Sequence, residues 1–466
     1  MSEALHPASF RDRSGFVFSL NDQVFRQVNR SCQKHYEKLM ASGLYQELVK
    51  NDLLIAHTEI PPDTSSGDMR DAQDAWLWLK PVQLDFISYP YEWCFSQLQE
   101  AALTTLQVQQ CAVRHGMTLK DSSAFNIQFR NGRAIFIDTL SFEEYQPGQP
   151  WTAYRQFCEH FLAPLALMSK CHHGLNSMMA LHIDGIPLEL ATALLPTSSW
   201  LDPHMAIHLH LHKRFQQKYK DTSVDEYQDS KKGASVKIAD VVESLKIAVN
   251  SLALPKRPSQ WSEYYAQSSY TDESMILKEK AVESMLSESK AQSVIDFGAN
   301  TGRFSQIAAK TAARVISLDL DPLCVENLFL ECKKQNNTKI QPLIIDLCNP
   351  TPGVGWNNTE RTSFTERAEA DCGLALALIH HLHVSGHIPM DKISAFFASM
   401  VRDLIIEFVP LEDPQTKRLL VSRQSNFPDY TESSFENSFL RHFTIKEKVD
   451  LQNNQRVLYH LRSTLL

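Results

Sequence analysis

The segment Val294-Ile295-Asp296-Phe297-Gly298-Ala299-Asn300-Thr301-Gly302-Arg303-Phe304-Ser305 runs an apolar strand straight into a glycine turn and then a helix start, which points to a doubly wound α/β sheet. Glycines at 298 and 302 reach backbone angles closed to other residues and let the main chain approach a ligand. A helix beginning near Phe304 offers unpaired N–H groups at the same place. The next apolar run, Arg314-Val315-Ile316-Ser317-Leu318-Asp319, ends in a carboxylate about 20 residues on, where an acid grips ribose hydroxyls. These residues together form a nucleotide-cofactor cradle. A dinucleotide site would place a second glycine two residues after the first to seat a pyrophosphate, and that position is Asn300.

The Asp-x-Gly-x-x-x-Gly arrangement resembles the first motif of Rossmann-type methyltransferases dependent on S-adenosylmethionine (SAM), whose cofactor is cationic at sulfur and has no phosphate. The resemblance continues in chain order through Asp319, then Ile344-Ile345-Asp346, then a fourth strand over Asp371 to Leu378. A fifth strand over Asp403 to Phe408 follows, and then Phe443 to Leu451 and Arg456 to Leu461 bracket a turn at Asn453-Asn454. It implies a seven-strand Rossmann-like sheet with an antiparallel last hairpin over roughly residues 255 to 466. It also implies SAM as cofactor, bound by Asp296, Gly298, Asn300, Gly302, Asp319 and Asp346. Asp346 has a second reading as a helix cap or loop acid. The whole chain is similar to long bacterial SAM-dependent methyltransferases sometimes grouped with nodulation host-specificity proteins, a grouping that names no acceptor.

Ligands of open α/β sheets sit beyond the carboxyl ends of the strands, and His380-His381 follows the fourth strand there. Either histidine is a candidate catalytic base for a hydroxyl or ammonium acceptor; the alternative is packing against the following helix. Two further segments fall on the ligand side. The Pro- and Gly-rich stretch Asn349 to Arg367, with Trp356, Phe364 and two arginines, reads as a substrate lid or as surface decoration. Glu407 to Pro414 forms a candidate opposite wall, with the same alternative.

At 466 residues the chain exceeds a single core, and 43% hydrophobic with 21% charged residues suits a folded two-domain protein. Its net charge of −8 disfavours nucleic acid as a partner. Nine scattered cysteines without a C-x-x-C pair read as reduced thiols, and no leader or spanning segment is evident, so a cytoplasmic protein is expected. Residues 217 to 235 are polar and predict a linker; residues 236 to 254 predict an amphipathic helix with Val241, Leu245, Ala248 and Leu252 on one face, and Pro255 and Pro258 break the chain. The expected domains are therefore 1–216, a connecting 217–254, and 255–466.

The first of these is expected to be α+β. Gly15 to Phe18 and Gln23 to Arg26 predict a hairpin around Asn21-Asp22, followed by a helix over Gln33 to Leu48. Lys120 to Phe129 and Ala134 to Asp138 predict strands joined by an Asn131-Gly132 turn. Asp121, Asn126 and Asp138 resemble the catalytic loop and metal-binding acid of protein-kinase-like phosphotransferases, which implies ATP and magnesium. A glycine-rich phosphate loop is missing, Arg26 lies where the phosphate-binding lysine would be, and Thr139-Leu140-Ser141 follows Asp138. The histidines at 204, 208, 210 and 212, and Cys171-His172-His173, lack nearby zinc-like spacing, so no metal is expected. The expected activity is methyl transfer from SAM to an unidentified small-molecule or macromolecular acceptor. The alternatives are an added kinase-like activity and a non-catalytic SAM-binding module.

Overall fold

The computed structural model describes residues 4–21, 23–62, 74–211, 237–255, 272–414, 416–417, 427–451 and 455–465. The predicted linker at 217–235, the turn at Asn453-Asn454, Asp22, His212 and Pro258 lie outside the described residues. The chain forms two compact units: Met1–Pro255 with Gly353–Thr362, and Lys256–Pro352 with Ser363–Leu466. Residues 353–362, expected in the C-terminal domain, thus group with the N-terminal unit.

The N-terminal unit is α+β and of kinase-like construction. Strands β1 (Ala4–Leu5), β2 (Gly15–Leu20), β3 (Gln23–Asn29), β4 (His57–Ile60) and β5 (Ala75–Pro81) make an antiparallel sheet of order β1-β2-β3-β5-β4. The expected hairpin is its centre, with Leu20 opposite Gln23. Alternation sorts its faces: Phe16, Phe18, Phe25 and Trp78 cluster on one, and Val28 and Leu79 pack with Tyr36 on the other. The predicted helix over 33–48 is instead two, Gln33–Ala41 and Leu44–Lys50, because Gly43 between them is left-handed (φ 82°).

Strands β6 (Met117–Leu119) and β9 (Phe142–Glu144) pair, as do β7 (Ile127–Arg130) and β8 (Arg133–Phe136). Asn131 and Gly132 both take positive φ, as the two-residue turn requires. The expected strand from Lys120 begins only at Ile127, since the Ser123 hydroxyl caps a 3-10 turn over Ala124–Asn126. Helix Ile238–Ser251 belongs to this unit: the Gln99 amide donates to the Val249 and Leu252 carbonyls at 2.9 and 3.1 Å. Its buried face carries Val242, not Val241.

The second unit holds β10 (Ser293–Phe297), β11 (Arg314–Asp319), β12 (Ile340–Ile344), β13 (Ala370–Ala375), β14 (Val401–Phe408), β15 (Phe443–Asp450) and β16 (Val457–Ser463). Their order is β12-β11-β10-β13-β14-β16-β15, parallel through the first five with β16 antiparallel to both neighbours. This is the seven-strand Rossmann-like sheet expected. Helix Asp272–Ser289, which the sequence pattern did not reveal, packs Val282, Met285 and Leu286 on one sheet face with Val294, Cys372 and Leu458. On the other, Phe297 meets Phe397 of helix Met390–Ala398 at 5.1 Å between ring centres. Strand β13 stops at Ala375, short of the expected Leu378, because Ala377 turns to φ 50°.

Gly15 sits so close to β3 that a Cβ would meet the Gln27 carbonyl oxygen at 1.9 Å. A partner-strand carbonyl cannot swing aside, so Gly15→Ala is expected to lower stability by at least about 1–3 kcal/mol, measured by chemical denaturation.

Candidate active site

Reversal of strand order between β10 and β13 opens a crevice at the carboxyl ends of the parallel strands. A cavity there is lined by Asp296, Gly298 and Asn300 after β10, Asp319 at the end of β11, Asp346 after β12, and Ala377, Leu378 and His381 after β13. The glycine turn is wound tightly. Gly298 and Ala299 N–H both donate to the Leu318 carbonyl, at 2.9 and 2.8 Å, and Gly298, Asn300 and Gly302 take φ of 75°, 51° and 83°. Asparagine at 300 suits this backbone, since it is among the few side chains that tolerate the left-handed region. A Cβ on Gly298 would stand 3.2 Å from Leu378 and fill the cradle. Gly302 lies outside the cavity lining and caps helix Arg303–Thr311.

Two carboxylates face this cavity from adjacent strands. Asp319 accepts from the Asn300 N–H at 2.7 Å and the Asp321 N–H at 2.8 Å, one on each oxygen, which leaves each oxygen able to accept again. Asp296 accepts from the Ser305 hydroxyl at 2.6 Å, itself held by Ser317 at 2.9 Å. Burial pushes both carboxyls up to about 6. The Asp346 carboxylate is bonded to the Cys348 N–H at 2.8 Å, so it lines the cavity and caps its own turn.

Beneath the cavity lies a charge cluster that sequence reasoning missed. Lys278 donates to Glu407 at 2.7 Å and lies 4.8 Å over the Phe304 ring. Glu407 also takes Arg456 at 3.3 Å and the Ala377 N–H at 2.8 Å, and Arg456 reaches Asp413 at 2.8 Å. All four charged side chains are buried, two of each sign. A glutamate inside the otherwise apolar run Leu404 to Phe408 was the one available sequence signal. Of the two histidines, His381 lines the cavity, and burial lowers it to about 4, so it is neutral at pH 7. His380 is fully buried, is not among the cavity-lining residues, and has no protein hydrogen-bond partner at either ring nitrogen. Burial, with His381, Arg456 and Lys278 nearby, holds it uncharged.

In the N-terminal unit, Asn126 donates to the Ser141 hydroxyl at 3.3 Å and Ser141 donates to Asp138 at 2.8 Å, so two of the kinase-like residues do converge. Asp138 is already neutralised by Arg26 at 2.8 Å, and Asp121 accepts from Gln156 at 2.8 Å. Part of the stretch read as a lid or as surface decoration is held by contacts within the N-terminal unit. Val354 bridges Arg361, Glu360 takes two bonds from Arg11 at 2.8 and 2.9 Å, and Arg361 lies 4.3 Å over the Phe125 ring. The histidine clusters are held structurally: His204 and His208 on Ser244, His210 on Ser199, and His172 stacked on His173.

No family model matches the chain. The nodulation protein NoeA of Rhizobium meliloti (strain 1021) is 31% identical over 461 residues, spanning 97% of this chain and 94% of that protein. The chain belongs to the NoeA family. The relationship runs through both units, not the C-terminal sheet alone. Solved structures similar to parts of this chain include the N-methyltransferase NodS from Bradyrhizobium japonicum WM9, 12% identical over 41% of this chain and 97% of that one, TM-score 0.31. The bifunctional kinase-methyltransferase WbdD is 14% identical over 45% and 44% of the two chains, TM-score 0.30. Scores this low carry no argument about activity, which rests on the site. Among the described residues, no helix is long and apolar enough to cross a membrane.

The raised Asp296 carboxyl has a consequence for stability. The folded protein holds this proton more tightly than the unfolded chain between about pH 4 and 6, so stability falls as pH rises through that window. Asp296→Asn is therefore expected to be more stable than wild type at pH 8, by up to about 3 kcal/mol, with the gain vanishing near pH 4 in urea titrations. Glu407→Gln would leave two buried cations facing one carboxylate and is expected to cost about 3–5 kcal/mol in the same assay.

Proposed function

We propose that the C-terminal unit binds SAM in the cavity at the ends of β10 to β13 and transfers its methyl group to an acceptor still to be identified. The observation that carries this reading is the cavity's charge: three carboxylates face it, and Lys278, its one lysine or arginine among the described lining residues, is committed to Glu407. Such a lining repels pyrophosphate and favours a ligand that is cationic and rich in hydroxyls. When bound, SAM supplies an electrophilic methyl on a sulfonium.

Asp319 has the spare acceptor capacity to hold ribose hydroxyls, and Gly298 keeps the turn open to the ligand. Leu320, Ile345 and Leu347 offer an apolar wall for a base. In-line transfer asks the protein chiefly for alignment and exclusion of water. His381, neutral and at the cavity wall, is the residue we assign to orienting the acceptor and receiving its proton. His380, enclosed beneath it, is assigned no contact with the reacting atoms. We place the protein in the cytoplasm, where its nine cysteine thiols would stay reduced.

Calorimetric titration of SAM into the full chain, with ATP plus magnesium as a parallel titrant, tests the reading. Saturable SAM binding is expected in wild type and absent in Gly298→Arg and Asp319→Ala. Affinity should weaken as pH falls below about 6, because protonation removes the negative charge of Asp296 and Asp319. His381→Asn should keep SAM affinity within about tenfold yet cut labelled-methyl transfer by about 100-fold or more. A folded wild-type chain that ignores SAM but takes ATP would move the activity to the N-terminal unit. SAM binding with no labelled product from any cell fraction would leave a non-catalytic sensor.

A further inference from the structure

We propose that Glu288, Glu447 and His460 bind one divalent transition-metal ion, zinc by their ligand chemistry, and so staple helix Asp272–Ser289 to the β15–β16 hairpin. One ligand atom from each side chain lies within 4.8 Å of the others. None of the three lines the cavity described above.

His460 makes this more than an acidic pair. It is 1% exposed, and its Nδ1 is enclosed without a protein hydrogen-bond partner. Its other nitrogen, Nε2, lies 3.2 Å from Asp403, a buried carboxylate that also faces Arg462 at 2.8 Å. In the tautomer whose Nε2–H donates to that carboxylate, Nδ1 presents its lone pair. A carboxylate fixing the far nitrogen of a histidine is the support that metal-binding imidazoles use.

The backbone adds a second specific feature. Strands β15 and β16 run in register from Phe443↔Ser463 to Ile445↔Leu461, then slip by one residue so that Glu447 stands opposite His460. Without that bulge Lys446 would occupy the place, and its ammonium would oppose a bound cation. Bulges re-aim side chains in this way, and this one exchanges a cation for a carboxylate ligand. Glu288 enters from the end of the facing helix and is exposed, so its side chain can close the remaining distance at little cost.

One imidazole and two carboxylates suit zinc or a similar ion, whereas calcium and magnesium favour all-oxygen shells. Zinc bonds to such ligands are about 2.0–2.2 Å, which asks the three atoms to draw together modestly. Three protein ligands leave a fourth position for water.

The test uses the full chain, free of any affinity tag and stripped with a chelator, titrated with zinc by calorimetry and with cobalt as a spectroscopic probe. Wild type should bind one equivalent, with the visible cobalt bands of a low-coordinate nitrogen–oxygen site, and zinc should raise its melting temperature. Glu288→Gln and Glu447→Gln should each bind at least tenfold more weakly and lose the melting shift. Without metal both variants should melt at or above wild type, since each removes a like-charge repulsion, and this shows that they fold. Absence of stoichiometric zinc binding, or binding that both variants leave intact, would overturn the proposal; the latter would place the ion on other histidines or on the exposed Cys171 and Cys348.

Discussion

Glu407 is the point on which the C-terminal unit depends. Its two oxygens join Lys278 from the helix preceding the sheet, the Ala377 N–H from the turn after β13, and Arg456 from the residue preceding β16. A buried carboxylate costs several kcal/mol in lost hydration and is tolerated only with such partners. In return it holds Ala377 in a left-handed conformation that an alanine rarely adopts. That turn moves Leu378 against Gly298 and places His381 at the cavity wall while His380 points into the interior.

The cavity's own chemistry follows from the same burial. Asp296 is buried and Asp319 partly so, and desolvation lifts both to about 6, so near neutral pH they carry charge in a place that disfavours it. A cationic ligand relieves that cost, and an anion would add to it. This is why the identity of residue 300 matters twice. Asparagine supplies the positive φ that a glycine would, and its backbone N–H is spent on Asp319, leaving no open nest for phosphate.

In the N-terminal unit two of the kinase-like residues, Asn126 and Asp138, share a neighbourhood and are committed within it, while Asp121 is bonded to Gln156. Arg26 satisfies Asp138, and Ser141 links Asp138 to Asn126. Residues 353–362 complete the unit through Glu360, almost wholly buried and paired with Arg11, and through Arg361 over Phe125. The pairing of a segment with partners more than half the chain away is invisible to any local pattern, and its prolines, glycines and aromatic residues read only as a substrate lid or as surface decoration.

The positions of several C-terminal strands, the glycine turn and the carboxylates at 296 and 319 were legible in the sequence because each is written in local spacing: continuous apolar runs, glycines where φ must be positive, an acid at a strand end; the seven-strand sheet itself was implied by the resemblance to SAM-dependent methyltransferases. The division of labour between His380 and His381 was not, since adjacent residues at a strand end are separated only by how the turn is held, and Glu407 holds it from 30 residues away. Nor was the pairing of Glu447, rather than Lys446, with His460, because a single inserted residue changes which side chain faces inward without changing the sequence pattern. The sequence by itself determined the sheet and the chemistry its strand ends can offer. Only the tertiary structure decided which of those groups are buried, paired or open to a ligand, because burial and long-range pairing depend on contacts between residues that no local spacing connects.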